Sequence, residues 1–453
     1  MPKIPVIAIF DVGKTNKKIF LFDSRYQMVF EKSAQFKETV DEDGEPCENL
    51  ESLQTSVFSS LREVLKMEEF DVKAVNFSGY GASFVYLDEN GQPLTPLYNY
   101  LKAYPPQLQK QFYDQYGGEQ EFSKITASPV LGSLNSGMQL YRIKYERPEL
   151  FEKIRYALHL PQYLSYLITG IPATDITSIG CHTNLWNFTT RQYHEWVIKE
   201  GLLEKFPAIG EGDKAVFVDF EGHPLACGIG LHDSSAALIP YLMNFREPFI
   251  LISTGTWCIS MNPFNEDPLT VAELEQDCLC YLTYEARPVK ASRLFAGHEH
   301  EVEVQRISDH FNQHPGHYKT IAYQPELLAS HIRGFLDSGM KKANPRLAED
   351  LGVYEDDVEA YHHLIWCIVV KQYFSTMLVV NEPAVKRMFV DGGFSKNAIY
   401  MNLLARLFKD VEIYAASMSQ ATAIGTALAL HKEWNKEELP GDIIELKRYA
   451  APL

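Results

Sequence analysis

Asp11, Gly13, Lys14, Thr15 and Asn16 stand together in DVGKTNKKIFLFD (Asp11 to Asp23), a segment whose residue types suit the holding of phosphate. The apolar run PVIAIF stops at Asp11 and Gly13, and a second apolar stretch, Ile19 to Phe22, follows at once, which predicts a hairpin. Its turn leaves backbone N–H groups unpaired, and glycine lets the chain approach an oxyanion with no Cβ in the way. Asp11 at the strand end suits a hydrated divalent ion. Gly13-Lys14-Thr15 also spells the end of a Walker A loop, but that motif needs a glycine where this chain has Ala8, and a helix where the sequence is β-rich. The P-loop is rejected.

Three further segments complete a split site. In STGTWCISM (Ser253 to Met261) the run PFILIS meets Thr254, Gly255 and Thr256, after which Trp257, Ile259 and Met261 alternate as a returning strand. Two such hairpins half a chain apart imply an internal duplication. VDGGFSKN (Val390 to Asn397) reads as a buried strand, a Gly392-Gly393 turn and the start of a helix at Asn397. The glycines allow a flat ring to lie against the backbone, and the helix start suits an anion. GIGLHDSSAAL (Gly228 to Leu238) places one acid, Asp233, on a glycine-rich approach, where it is the natural base for phosphoryl transfer.

These four segments, in this order, resemble those of the FGGY carbohydrate kinases, a branch of the superfamily that includes actin and the heat-shock chaperones. The resemblance runs from the first hairpin to ATAIGTALAL (Ala421 to Leu430). GLHDSSAAL, ISTGTW, ALHLPQYLSYLITG (Ala157 to Gly170) and TDITSIG (Thr174 to Gly180) are most similar to the rhamnulokinase and fuculokinase branch. The resemblance implies an α/β fold of two ribonuclease-H-like, actin-like ATPase domains with a cleft between them. It implies Asp233 as general base, Asp11 as holder of the water shell of Mg²⁺, and Gly13, Lys14, Thr15, Asn16, Thr254, Gly255 and Thr256 as the cradle for the phosphates of ATP. Gly392, Gly393 and Asn397 would border adenine, and Tyr80, Ser83, His232 and Asp233 the sugar. Phosphoryl transfer asks chiefly for positioning and charge neutralisation, which this set supplies.

One departure from the family pattern falls in the first hairpin and two at the sugar. Lys14 replaces the usual Thr or Ser, and either reaches a phosphate or is solvated. Tyr80-Gly81-Ala82-Ser83 stands where related kinases carry Trp-Gly-x-Asp, and a serine cannot accept from two hydroxyls as a carboxylate does. Tyr98-Asn99-Tyr100 replaces a segment that usually brings Trp and Arg. His232 orients the Asp233 carboxylate, touches sugar or simply packs; all three readings stay open.

The elements that must position these groups need two domains, since 453 residues exceed one compact core. The boundary is expected at 243/244, with the sugar and the base in the first domain, the nucleotide in the second, and a hinge between Pro240 and Pro248. A helix is expected with Leu53, Val57, Leu61 and Val64 on one side, after an acidic loop at 40–50, and VKAVNFSGYG as a strand with a cleft-facing turn. Residues 100–170 read as helix-rich, ending at a Gly170 cap; the aromatic passage from Asn184 to Trp196 reads as a satellite core. Residues 276–357 read as irregular, and AGHEHEVEV (Ala296 to Val304) as a solvated or sugar-facing turn. Tyr361 to Val380 reads as an apolar helix, and SQATAIGTALALHK (Ser419 to Lys432) as a small-residue helix packing near Gly392.

Composition narrows the function. Hydrophobic residues at 46% supply real cores, and 42 Lys and Arg against 59 Asp and Glu give a net charge of −17, which argues against nucleic-acid or anionic-membrane binding. The seven cysteines read as reduced, buried thiols; Cys278 and Cys280 lack partners at zinc spacing. No run is long enough for a membrane span, and six apolar residues before Asp11 are too few for a signal peptide, so the expectation is cytoplasmic. The expected activity is an ATP- and Mg²⁺-dependent ketose kinase acting at C1 of L-rhamnulose or L-fuculose. The alternatives are a xylulose- or ribulose-type kinase, or a sugar or nucleotide sensor on the same scaffold that has lost catalysis. A homodimer is left open.

Overall fold

Two continuous apolar runs make the first hairpin. β1 (Ile4–Val12) and β2 (Lys17–Asp23) pair antiparallel from Val6 opposite Asp23 to Val12 opposite Lys17, and β3 (Met28–Ala34) extends the meander. The computed structural model describes residues 2–14, 17–34, 37–341, 343–381, 384–418 and 420–450; Thr15 and Asn16, expected in the phosphate turn, lie outside the described residues. α1 (Leu50–Leu65) begins where the Asn49 side chain accepts from the Ser52 N–H, and it buries Leu53, Val57, Leu61 and Val64 at helical spacing. β4 (Phe70–Gly79) then returns parallel to β1. After a long, mainly helical insertion come the hairpin β5 (Ala215–Phe220) and β6 (His223–Gly228), the short β7 (Leu231–His232) and α2 (Asp233–Asn244). The first sheet runs β5-β6-β4-β1-β2-β3, with β7 beside the end of β4.

The second half repeats the plan. It comprises β8 (Phe249–Thr254), β9 (Cys258–Asn262), β10 (Cys278–Leu282), β11 (Pro288–Leu294), α3 (Ala296–Phe311) and α4 (Asp357–Met377). Then follow β12 (Arg387–Gly392), α5 (Ala398–Leu407), β13 (Glu412–Ser417), α6 (Ala421–Ala429) and β14 (Glu445–Tyr449). Its sheet order is β10-β11-β9-β8-β12-β13-β14. In both halves an antiparallel hairpin and a third strand are joined, through the first strand, to two parallel strands. β3-β2-β1-β4-β6 thus matches β11-β9-β8-β12-β13, and the duplication inferred from the two hairpins is visible as topology.

The two halves meet through the helix that follows the fifth strand of each, α2 and α6, within a shared core that includes Ile7, Ile9, Leu238, Leu251, Phe389 and Leu428. Pro240 inside α2 cannot donate to the carbonyl of Ala236. Against that carbonyl lies Gly425 of α6, where an added Cβ would come to 1.9 Å from the Ala236 oxygen. The small residues of α6 therefore serve contact with the helix of Asp233, which corrects the expectation that the 419–432 segment packs near Gly392. Buried Asn76 adds a polar link, its Nδ2 donating to the Thr426 carbonyl at 3.0 Å.

Two other expectations change. The stretch 276–357 is less irregular than its charge suggests, since it contains β10, β11 and α3. Residues 296–304 are helical rather than a turn: Ala296, Val304 and Ile307 are buried at helical spacing, a period that a nine-residue window of alternating His and Glu conceals. The aromatic passage does pack, with Trp196 fully buried against Phe112, Tyr116 and Tyr141, and Gly170 ends its helix at φ 65°.

Candidate active site

The first group of polar residues forms where three strands end together. Asp11 on β1 and Leu231 on β7 both lie opposite Ser78 of β4, so Asp233, two residues on, stands across the end of β4 from Asp11. Ser78 Oγ donates to Asp11 Oδ1 at 2.8 Å. Enclosure raises the Asp11 carboxyl to about 6; the neighbouring Asp233 charge adds to the rise, while Ser78 and Lys18 oppose it.

Asp233 is the first residue of α2, and its Oδ1 accepts from the Ser234 N–H at 2.6 Å. Enclosure outweighs that hydrogen bond and raises this carboxyl also to about 6, although a third (34%) of the side-chain surface stays accessible. Among the described residues no hydrogen bond reaches Oδ2. The His232 Nε2 lies 3.0 Å from Asp233 Oδ1 and 3.0 Å from Cys181 Sγ, the latter its hydrogen-bond partner. Burial lowers His232 to about 3, so its ring is neutral near pH 7 and forms a wall beside the carboxylate. Gly81 backs onto this wall, with no room for a Cβ beside Cys181 Sγ.

The other expected sugar residues are differently employed. Ser83 is fully buried, and its hydroxyl donates to the Tyr98 carbonyl at 3.3 Å. Tyr80 donates its hydroxyl to Glu48 at 2.9 Å. Lys14 is half-buried and ion-paired with the same Glu48 at 3.6 Å, so it is not simply solvated. Glu48 went unmarked in the sequence because nothing distinguishes it from the other acids of its loop.

In the second half, Thr254 ends β8 opposite Gly392 of β12. The Thr254 hydroxyl donates to the Asp391 carbonyl at 2.5 Å and accepts from the Phe394 N–H at 3.0 Å, so the side chain expected on phosphate braces the glycine turn instead. Gly392 has φ 88°, and a Cβ there would come to 1.9 Å from the Thr254 carbonyl, which accounts for the residue. Gly255 and Thr256 form the exposed hairpin turn, and α3 starts against it, with the His298 N–H donating to the Thr256 carbonyl at 3.2 Å.

A cavity of about 620 Å³ opens here, lined among others by Thr254, Gly255, His300, Gly393, Phe394 and Asn397. The structure thus brings the second hairpin and the glycine turn to one space, large enough for a nucleotide. Gly392 is exposed nearby but is not among the lining residues. The Asn397 side chain caps α5 at the Tyr400 N–H and donates to the Tyr361 hydroxyl at 2.7 Å, so its amide groups are already engaged. His300, also on the Tyr361 hydroxyl at 3.0 Å, is a lining residue that reading 296–304 as a turn missed. Among the described residues no group of three or more His, Cys, Asp or Glu could hold a metal ion by itself. No helix among them is long and apolar enough to cross a membrane.

Comparison with known proteins agrees with this architecture. Residues 6–215 match the N-terminal domain of the FGGY family of carbohydrate kinases, and residues 246–438 match the FGGY carbohydrate kinase C-terminal domain. A rhamnulokinase from Halalkalibacterium halodurans is 24% identical, over 97% of this chain and 96% of its own. Among solved structures, a carbohydrate kinase from Novosphingobium aromaticivorans superposes with a TM-score of 0.81 at 22% identity, covering 99% of this chain and 95% of that one. A xylulose kinase from Lactobacillus acidophilus does so with 0.77 at 16%, covering 99% and 94%. With its two actin-like α/β halves and both family domains matched, the chain belongs to the FGGY carbohydrate kinases, phosphotransferases whose acceptor is an alcohol group.

Proposed function

We propose that this enzyme transfers the γ-phosphoryl group of ATP to the C1 hydroxyl of a ketose, L-rhamnulose or L-fuculose, in the cytoplasm. The observation that carries the reading is the pair Asp11 and Asp233 at the shared end of β1, β4 and β7, two carboxyls with raised proton affinity and different surroundings. Asp233 is the base: Oδ1 is held by Ser234 while Oδ2 is left to take the proton of the sugar hydroxyl. Asp11, oriented by Ser78, fits a Mg²⁺ site of the kind that needs one carboxylate, with water and phosphate oxygens as the other ligands. A bound Mg²⁺ would supply charge neutralisation to the phosphates.

In this reading Gly13, Lys14, Thr15 and Asn16 form the phosphate side of the first hairpin, and Gly255 and Thr256 that of the second; the Gly255 N–H already donates to the Trp257 carbonyl at 2.9 Å, so Gly255 serves by leaving room for the phosphate and Thr256 by its backbone N–H. Adenine lies in the 620 Å³ cavity against Gly393. The domain boundary is placed at 243/244, just before the connector from α2 to β8. The similarity to a rhamnulokinase over nearly the whole chain supports the deoxyhexulose. A specific observation favours a ketopentose instead: at position 83 the expected carboxylate is a serine whose hydroxyl is already bound.

An ATP-consumption assay with Mg²⁺ over L-rhamnulose, L-fuculose, xylulose and ribulose tests both levels. The highest kcat/KM should fall on one of the deoxyhexuloses. A clear preference for a ketopentose overturns that assignment, and no turnover on any ketose overturns the substrate class.

A further inference from the structure

A cationic side chain in a phosphate hairpin is expected to point at phosphate, yet Lys14 does not. The cation that acts on Asp11, three residues away, is Lys18. The Lys14 ammonium instead lies 3.6 Å from Glu48 Oε1 and 6.0 Å from the ring centres of both Tyr80 and Tyr100. Those rings pack edge to face at 5.6 Å and form a corner around it. Tyr80 belongs to the Tyr80-Gly81-Ala82-Ser83 turn and Tyr100 to the Tyr98-Asn99-Tyr100 segment, the two stretches that depart from the family pattern at the sugar, so the corner lies on that side.

Glu48 is built to hold the arrangement. Its backbone exchanges hydrogen bonds with Leu97 in both directions, at 3.2 and 3.3 Å, and the residue is buried. Its carboxylate takes the Tyr80 hydroxyl at 2.9 Å and pairs with Lys17 at 3.0 Å as well as with Lys14. One carboxylate thus serves two lysines. Lys14 is the half-open member, with 28% of its side chain accessible against 10% for Lys17. A buried acid that lost these partners would be costly, so Glu48 fixes its lysines as firmly as they fix it.

We propose that Glu48 is a positioning residue that turns Lys14 toward the sugar, so that the Lys14 ammonium donates to a hydroxyl or carbonyl oxygen of the ketose instead of to a phosphate; this rests on the ketose-kinase reading above. It accounts for the two departures at the sugar together. Ser83 no longer offers a carboxylate, and the cation that the Tyr98-Asn99-Tyr100 segment lacks is supplied by Lys14 from the first hairpin, with Tyr100 as its wall.

The test is steady-state kinetics of the full chain with its best ketose, for wild type, Glu48→Gln, Lys14→Met and the double variant. Glutamine keeps an acceptor for Tyr80 but releases Lys14. Both single variants should raise the sugar KM about tenfold, the effect of one lost hydrogen bond to a charged donor, and leave the ATP KM within about twofold. The double variant should be no worse than the more impaired single, because the two residues act as one unit. A raised ATP KM with an unchanged sugar KM would make Lys14 a phosphate ligand and overturn the proposal, as would no change in either. If Glu48→Gln fails to fold, Lys14→Met, a change at a half-exposed side chain, decides alone. The two possible failures read differently: a wild type inactive on every ketose sinks the substrate reading, whereas an active wild type whose Lys14→Met variant shows no sugar-specific loss sinks this one.

Discussion

Asp11 and Asp233 face each other across the last residues of β4, close enough for the charge of Asp233 to raise the proton affinity of Asp11. The burial of Asp11 is the larger cause of its raised proton affinity, and the like charge of Asp233 adds to it. The pair is therefore where the chemistry of this cleft is most readily probed.

Replacing Asp233 with Asn keeps the shape and removes the base. Turnover should fall by at least about 100-fold, the scale of a lost general base, with the ATP KM nearly unchanged. Wild-type turnover in this variant would exclude Asp233 as the base.

The acid limb of the pH–kcat/KM profile should report the pair. Both carboxyls have values of about 6, so activity should rise with pH and level off above about 7. A profile flat down to about pH 4.5 would contradict this.

The same values set the sign of a stability effect. Between the ordinary aspartate value of 3.8 and about 6 the folded protein holds the Asp233 proton and the unfolded chain does not, so stability is lost as pH rises through that window. Asp233→Asn should consequently have a higher Tm than wild type at about pH 8, and the gain should disappear at about pH 3, below both values. Thermal melts at the two pH values check this; a Tm at pH 8 equal to or below that of wild type contradicts it.

Changing Asp11 to Ala should weaken metal dependence and turnover together, read as a rightward shift of the Mg²⁺ titration of activity. An unshifted titration would remove Asp11 from the metal site.

Gly425→Val places side-chain atoms where the Ala236 carbonyl already lies. Overpacking of a buried contact should cost about 1–3 kcal/mol in urea unfolding, and the loss should exceed that of the same change at Gly334, where an added Cβ meets nothing within 4 Å. Equal losses at the two sites would show that the helix contact yields freely.

Much of this was legible in the residues because the signals were local. The continuous apolar runs in Ile4–Val12 and Phe249–Thr254, the apolar spacing of Leu53 to Val64 and the Gly392-Gly393 turn each reflect short-range geometry. What escaped depends on partners far along the chain. Glu48 takes its meaning from Lys14, Lys17 and Tyr80, and the Thr254 hydroxyl is engaged by residues more than a hundred positions later. Gly425 likewise answers to a carbonyl that Pro240 leaves without its helical donor, a dependence invisible within either segment. The 296–304 error was of another kind, a period read over too short a window.

The seat of Gly425 on Ala236 also has a mechanical meaning. Backbone pressed on backbone leaves less room for sliding than interdigitated side chains do, so this seat favours rocking of one half on the other over shear. Ala236 lies three residues from Asp233, about 4.5 Å along the helix axis. The base is thus mounted beside this seat, where an opening or closing rotation about it would move the carboxylate least.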